Sequence, residues 1–157
     1  MMKRSAGILA YRLKEVKGNG GQTEFFLVHP GGPFFARKDN GFWTIPKGEY
    51  ESNEAPLDAA RREFEEETGV RLSGKFVSLG EVKQKGGKIV EAWAIESDFD
   101  ERQITSNTFE IEWPPKSGRK QSFPEVDKAG WFELEEASKK INQAQMEFLV
   151  RLPGLIS

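Results

Sequence analysis

The segment from Gly48 to Val70, GEYESNEAPLDAARREFEEETGV, restricts the fold of this chain more than any other part of its sequence. Asn53 is a typical N-cap residue, Pro56 fits the first turn of a helix, and Gly69 is a typical C-cap residue. Between these signals, side chains that suit a core recur at intervals of three and four residues: Leu57, Ala60, Phe64 and Thr68. This spacing predicts one amphipathic helix with a buried stripe.

Three carboxylates share a different face of the predicted helix. Glu63, Glu66 and Glu67 stand at positions i, i+3 and i+4, about 100° around the helix from Phe64. Ala59 lies one turn earlier on the same face and leaves room beside them. Carboxylate oxygens are the ligands that Mg²⁺ and Mn²⁺ prefer, and such a cation would turn mutual repulsion into attraction. The alternative is a merely solvated acidic face, which is common on helices.

Composition limits the remaining possibilities. The chain has 157 residues, 37% hydrophobic and 31% charged, which predicts a single globular domain over residues 1–157. It has no cysteine, so disulfides, thiolate catalysis and cysteine-bound zinc are excluded. A net charge of −2 gives no general attraction for nucleic acid or anionic membranes. The apolar run near the N-terminus is too short for a signal peptide or a membrane span, so we expect a cytoplasmic protein.

Hydrophobic alternation and turn residues outline the other elements. Strands are predicted at 8–13, 25–28, 42–45, 76–82, 88–96 and 109–113, and residues 126–132 lead toward the C-terminal helix. Loops are predicted at 29–41 and 117–123, and the Gly-rich residues 18–21 are expected to connect the first two strands. A C-terminal helix is predicted to end at Pro153, with a stripe formed by Ile141, Ala144, Gln145, Phe148 and Leu152. This order indicates an α/β (α+β) fold with helices on both faces of a mixed sheet.

The acidic segment also resembles a known family signature. Gly48, Glu54, Arg62-Glu63-Phe64, Glu66-Glu67 and Gly69-Val70 match the Nudix box, G-x5-E-x7-R-E-U-x-E-E-x-G-U, where U is a bulky apolar residue. Phe64 occupies a position that is more often aliphatic in the family, which affects packing only. The resemblance implies a Nudix-type α/β/α sandwich. It also implies an enzyme that hydrolyses the pyrophosphate of a nucleoside diphosphate linked to another group.

The resemblance further implies roles for the residues of the box. Glu63, Glu66 and Glu67, with the backbone carbonyl of Lys47, would bind Mg²⁺, with Mn²⁺ as a possible substitute. Glu63 is our favoured general base, because it lies beside the other two ligands. The remaining box residues would support the loop and the helix rather than take part in the chemistry: Gly48, Glu54 and Arg62.

Nudix sites are often completed by a carboxylate from a later loop. Glu125 precedes Trp131 by six residues, and a similar interval occurs in the branch that cleaves oxidised nucleoside triphosphates. We therefore predict a catalytic role for Glu125, on a loop that becomes ordered around the ligand. Glu112 is the second candidate and Glu110 the third, while a solvated loop glutamate is the alternative for each.

Substrate-binding residues are expected outside the box. The segment WTIPKG at 43–48 resembles a segment of the dinucleoside polyphosphate and diphosphoinositol polyphosphate branches in which a tryptophan is followed by Pro-Lys-Gly. Lys47 and Arg4 are candidate phosphate contacts, and Trp43 is a candidate for base stacking, as are Phe34 and Phe35 if they are not core residues. His29 is interpreted as the residue where the 29–41 loop begins, not as a base.

We therefore expect a Mg²⁺-dependent hydrolase whose favoured substrate is a dinucleoside polyphosphate. A nucleoside triphosphate, including an oxidised one, is the first alternative, and a non-catalytic nucleotide-binding module is the second. RNA cap removal would require a basic RNA-binding face, which the sequence does not indicate. The expected partner is a small nucleotide, with no membrane or nucleic-acid partner, and the expected assembly is a monomer or homodimer.

Overall fold

The structure, a computed structural model, describes residues 3–15 and 21–156. The predicted connection at 18–21 lies outside the described residues apart from Gly21, which begins the second strand. The strands are β1 (Arg4–Glu15), β2 (Gly21–Pro30), β3 (Lys47–Glu49), β4 (Val77–Lys83), β5 (Ile89–Glu96), β6 (Thr108–Glu112), β7 (Lys120–Pro124) and β8 (Val126–Glu133). The helices are α1 (Pro56–Thr68), α2 (Leu134–Lys140), α3 (Met146–Arg151) and α4 (Pro153–Ile156), with short 3₁₀ turns at Glu101–Gln103 and Gln143–Gln145.

The main sheet is mixed and has the order β4-β5-β1-β2-β8. β1 and β5 run parallel, and the other neighbours are antiparallel. β3 pairs with the beginning of β1, where Ser5, Ala6 and Gly7 lie opposite Glu49, Gly48 and Lys47. β6 and β7 form a separate two-stranded hairpin. Because α1 is the next element after β3, separated from it by only six residues, this pairing fixes where the box lies against the sheet.

Two apolar layers cover the two faces of the sheet, as the amphipathic patterns predict. On one face, Phe64 and Ala60 of α1 pack against Ile8 and Phe26 of the sheet. On the other face, the C-terminal residues Phe148 and Leu152 pack with strand residues such as Leu9 and Leu27. The predicted α/β (α+β) fold, with a mixed sheet between helices, is confirmed.

The ends of α1 were predicted unequally well. Gly69 is the C-cap, with φ 77° and its N–H donating to the Glu65 carbonyl at 2.7 Å, so that prediction is confirmed. The N-cap prediction was wrong, because Ala55 occupies that position and makes no side-chain cap hydrogen bond. Pro56 starts the helix with a fixed φ and no N–H to satisfy, so the helix begins three residues beyond Asn53.

Two predicted strand and loop boundaries were also wrong. Residues 42–45 form only isolated bridges, Thr44 to Val28 and Trp43 to Ile141, and the strand is β3 instead. Most of the predicted 117–123 loop belongs to the hairpin, since β7 finds a partner in β6. In both places, the structure depends on whether a neighbouring strand is available for pairing, and local composition does not reveal which strand that is.

The C-terminal helix is interrupted rather than continuous. After α2, Asn142 accepts a side-chain hydrogen bond from the Ala144 N–H at 3.0 Å, which stabilises a 3₁₀ turn before α3. Pro153 begins α4 instead of ending the helix, since proline suits a first helical position. The predicted stripe residues Ile141, Gln145, Phe148 and Leu152 are nevertheless buried. Within residues 3–15 and 21–156, no helix has the length and apolar character needed to cross a membrane.

Candidate active site

Close contact between β3 and α1 brings the backbone of Gly48 against a helix carboxylate. A Cβ atom at position 48 would overlap the carboxyl group of Glu63. Only glycine therefore allows the strand to approach the helix this closely. Glu63 is held in a half-buried position, with a side chain 14% exposed. The glycine that opens the box thus determines where this carboxylate lies.

Arg62 joins the loop before α1 to the carboxylates on the helix. Its guanidinium donates to both carboxyl oxygens of Glu54, at 2.9 and 3.0 Å. The same group donates to Glu63 Oε1 at 2.9 Å and approaches Glu66 Oε2 at 3.3 Å. These contacts raise the pKa of Arg62, with the Glu54 hydrogen bond as the largest cause. This is the geometry that a supporting role for Arg62 and Glu54 requires.

Glu67 is the most unusual group in the cluster. Its side chain is buried, and Oε2 has no hydrogen-bond partner among the described residues. Burial raises the pKa of Glu67 to about 8, and the charges of Glu63 and Glu125 add to the effect. Lys47 acts in the opposite direction through its charge and through a backbone hydrogen bond to the carboxyl group. A buried carboxylate with an unpaired oxygen indicates a site that is completed by something else.

Glu125 lies beside this cluster although it is far away in sequence. It is the single residue between β7 and β8, and its backbone is bonded on both sides: its N–H donates to the Asn107 carbonyl and its carbonyl accepts from the Gly31 N–H, both at 2.8 Å. Burial raises the pKa of Glu125, and the charge of Glu66 raises it further. The carboxyl is therefore within electrostatic range of the helix glutamates. The prediction of a loop that is disordered without ligand does not fit this anchored backbone.

The other two loop candidates lie on the hairpin. Glu110 and Glu112 alternate with the partly buried Phe109 and Ile111, so both glutamates face solvent. Glu112 is opposite Lys120 in the strand register. Of the three candidates, Glu125 is the one whose charge contributes to the raised pKa values of Glu63 and Glu67.

The proposed substrate-binding residues are not all near the carboxylates. Lys47 does lie near them. Burial lowers the pKa of Lys47, and the charge of Glu67 partly offsets that shift. Arg4 is paired with Glu81 at 2.5 Å. Trp43 is only 7% exposed, donates to Asp39, and packs edge-to-face against Phe132 in the core on the far side of the sheet. The expectation that Trp43 stacks a base is therefore corrected, because its ring has no free face.

His29 is a buried strand residue rather than the first residue of a loop, since β2 continues to Pro30. Its Nε2 donates to the Lys38 carbonyl at 2.6 Å, and Nδ1 lies 2.7 Å from Asp127 Oδ1. His29 thus connects β2, β8 and the 31–41 loop. Sequence reasoning missed this role, and it also missed Gly31 and Asn107, which hold Glu125. The one available signal was the pair of glycines after Pro30.

The donor set fits a hard divalent cation. Within the residues that the structure describes, no three carboxylate or imidazole groups already converge on a common point. Arg62 explains this arrangement, since it occupies oxygens of Glu63 and Glu66. The unpartnered Glu67 oxygen beside β3, together with two further carboxylates on the same helix face, offers the all-oxygen ligands that Mg²⁺ and Mn²⁺ use.

A first prediction concerns stability in the absence of metal. The pKa of Glu67 is raised from 4.5 to about 8 in the folded state, so the folded protein holds a proton that the unfolded chain releases. The contribution of Glu67 to the free energy of unfolding is therefore largest below about pH 4.5 and is lost as the pH rises through about 8, by on the order of a few kcal/mol. Thermal unfolding in EDTA between pH 5 and 9 measures this slope.

Glu67→Gln should flatten that pH dependence and be more stable than the natural chain at pH 8.5. Glu65→Gln is the matched control, because Glu65 lies on the same helix but pairs with the exposed Arg71. An identical slope in Glu67→Gln and the natural chain would show that the buried carboxyl is not the group responsible.

Comparisons with known proteins agree with this architecture. A family model described as NUDIX domain matches residues 16–152. The RNA pyrophosphohydrolase of Bartonella henselae is 41% identical over 69 residues, which cover 44% of this chain and 36% of that protein. The octanoyltransferase of Myxococcus xanthus is 28% identical over 126 residues, covering 80% of this chain and 31% of that protein. The matched segments thus span about a third of each of these curated relatives.

The fold also has counterparts among solved structures. The Ap4A hydrolase of C. elegans, solved as a binary complex, has a TM-score of 0.63 and 23% identity, covering 98% of this chain and 96% of that chain. A MutT/nudix family protein from Listeria innocua has a TM-score of 0.64 and 16% identity, covering 97% and 92%. At these identities the likeness concerns the fold.

Proposed function

The chain belongs to the Nudix family, and we propose that it is a divalent-metal-dependent hydrolase that cleaves the pyrophosphate linkage of a dinucleoside polyphosphate. The observation that carries the proposal is the carboxylate cluster of α1, in which Glu67 keeps a buried oxygen without a partner. The hydrolase name of the Bartonella henselae relative supports the reaction class.

Glu63, Glu66 and Glu67, with the Lys47 carbonyl, would hold Mg²⁺ or Mn²⁺. When bound there, such an ion neutralises charge on phosphate oxygens and lowers the pKa of a water molecule. The protein residues then have separate tasks. Glu63 accepts a proton from the attacking water, and burial, which raises its pKa, makes it a better base at neutral pH. Gly48 and Arg62 keep that carboxyl in position.

Glu125 is proposed to act with this cluster rather than on the nucleotide. Its backbone is fixed by hydrogen bonds with Asn107 and Gly31, and the charge of Glu66 contributes to the raised pKa of its carboxyl. The raised pKa values of Glu63 and Glu67 both include a contribution from its charge. We assign to Glu125 the orientation of the reacting water, a role that positioned carboxylates take in phosphoryl transfer.

The preference for a long phosphate chain rests on cations around the site. Lys47 lies next to Glu67 and is a candidate for direct phosphate contact. Arg37 and Lys38 stand on the exposed 31–41 loop, whose first residue bonds to Glu125. Each additional phosphate gains a charge-assisted contact worth about 1.5–3 kcal/mol where water is excluded, and much less where the side chain remains exposed.

A substrate panel tests the proposal. We expect kcat/KM for a dinucleoside tetraphosphate to exceed that for a nucleoside triphosphate and for ADP-ribose, each assayed with Mg²⁺ and with Mn²⁺. The advantage should shrink at higher salt, because exposed cations are screened. If a nucleoside triphosphate or ADP-ribose is preferred tenfold at low salt, the polyphosphate proposal fails. Binding of any of them without hydrolysis would favour a non-catalytic module.

A further inference from the structure

Two aromatic side chains meet near the surface, one in the 31–41 loop and the other directly after β6. Phe34, in the 31–41 loop, is 64% exposed. Its ring meets the partly buried ring of Trp113, at the end of β6, with centroids 5.4 Å apart and an interplanar angle of 80°. An edge-to-face pair at the surface leaves one ring face open to solvent. An open aromatic face is a surface on which a nucleotide base can stack.

The aromatic pair is held firmly by the backbone around it. The Trp113 N–H donates to the Arg119 carbonyl at 2.9 Å, and the Gln121 side chain donates to the Trp113 carbonyl at 3.0 Å. On the other side, the Lys38 carbonyl of the Phe34 loop is bonded to the buried His29. The two rings are therefore presented by preorganised segments, which reduces the entropy lost on binding a flat ligand.

Each of the two segments that carry the pair begins at a residue whose backbone is hydrogen-bonded to Glu125. Gly31, which donates to the Glu125 carbonyl, precedes Phe34 by three residues. Three residues span about 11 Å at most. Asn107, which accepts from the Glu125 N–H, directly precedes β6 and so leads to Trp113. The Cα atom of Phe34, whose ring meets that of Trp113, thus lies at most about 11 Å from the Cα atom of Gly31, a length that a ribose and a short phosphate chain can span.

Cations occur in both segments that carry the aromatic pair. Arg37 and Lys38 belong to the Phe34 loop, and Lys116, Arg119 and Lys120 belong to the hairpin that carries Trp113. In the described part of the chain, none of these five forms an ion pair with a carboxylate within 4.0 Å. Exposed aromatic rings with unpaired cations around them match the two parts of a nucleotide, a flat base and an anionic phosphate.

We propose that the open ring face of the Phe34–Trp113 pair stacks the base of the nucleotide whose phosphate reaches the carboxylate cluster, with the second ring holding the first in place, and that Arg119 contacts its phosphate chain. The inference rests on the proposed function for the identity of the ligand, but it does not require that the protein hydrolyses that ligand. It replaces Trp43, which is buried, as the base-binding residue. It also assigns a function to the hairpin, which packs outside the main sheet.

Calorimetry with two ligands tests the assignment. The ligands are diadenosine tetraphosphate and inorganic tetraphosphate, titrated with Mg²⁺ into Glu66→Gln, with chromatography to verify that the ligand stays intact. Adding Phe34→Ala or Trp113→Ala should weaken binding of the nucleotide by about 5- to 150-fold. Neither change should alter binding of the inorganic tetraphosphate. Arg119→Gln should weaken the binding of both ligands.

The matched control is Phe42→Leu, because Phe42 is also exposed but contacts Phe35 rather than the pair. Phe34 is exposed, so its removal leaves the core intact and keeps the test interpretable if Trp113→Ala fails to fold. Unchanged nucleotide affinity in Phe34→Ala would overturn the proposal. So would an equal loss of affinity for the nucleotide and for inorganic tetraphosphate, or a loss of nucleotide affinity in Phe42→Leu as large as that in Phe34→Ala. A failed hydrolysis assay would instead refute the proposed function, since this experiment measures binding alone.

Discussion

Glu66→Gln is expected to lower kcat on the best substrate by about 100-fold or more. The substitution keeps the size of the side chain and removes the negative charge that the proposed cation site needs. Glu66 contacts Arg62 at 3.3 Å, and an amide oxygen at this position can still accept that bond. The loss should therefore appear in turnover rather than in folding. Steady-state kinetics with saturating Mg²⁺ is the measurement.

Glu65→Gln provides the control for this experiment. The neighbouring Glu65 lies about 100° around the helix from Glu66 and pairs with Arg71. It should retain activity, while the metal-free Glu66→Gln protein should be as stable as the natural chain or more so, because one member of a repelling cluster is gone. Full turnover in Glu66→Gln would remove Glu66 from the site, and with it the assignment of the three carboxylates.

Local signals explain which parts of the fold could be predicted. α1 carries its apolar stripe, its first-turn proline and its C-cap glycine within one short segment, so the helix follows from the sequence. β3 could not be found in this way. Its three residues become a strand because β1 offers unpaired backbone groups beside them. The apolar 42–45 segment has the better strand composition but finds only isolated bridges.

Aromatic residues illustrate the same limit in the site. Trp43 and Phe34 both stand in segments rich in glycine and proline, and nothing local distinguishes them. The structure buries Trp43 against Phe132 and leaves Phe34 at the surface. The helix carboxylates could be grouped from their spacing, because the helical period alone places them on one face. Glu125 required a family resemblance, since its approach depends on contacts to Gly31 and Asn107 that are distant in sequence.

Glu125→Gln should lower kcat by about 10- to 100-fold, the range seen for groups that orient the reacting partners at a metal site. KM should change much less, because the carboxyl is proposed to act on the water and not on the base. The backbone bonds of Glu125 do not involve its side chain, so the variant should fold normally.

Glu112→Gln separates this role from a general effect of removing loop charge. Glu112 lies on β6, which pairs with the strand that precedes Glu125, but its side chain is on the solvent face of the hairpin opposite Lys120. Glu112→Gln should leave kcat unchanged. A large loss of kcat in Glu112→Gln, with normal activity in Glu125→Gln, would transfer the role to Glu112. A rise in KM without a change in kcat for Glu125→Gln would instead place its carboxyl among the binding groups. The three outcomes differ because β7 and β8 hold Glu125 against the cluster while the hairpin directs Glu112 to solvent.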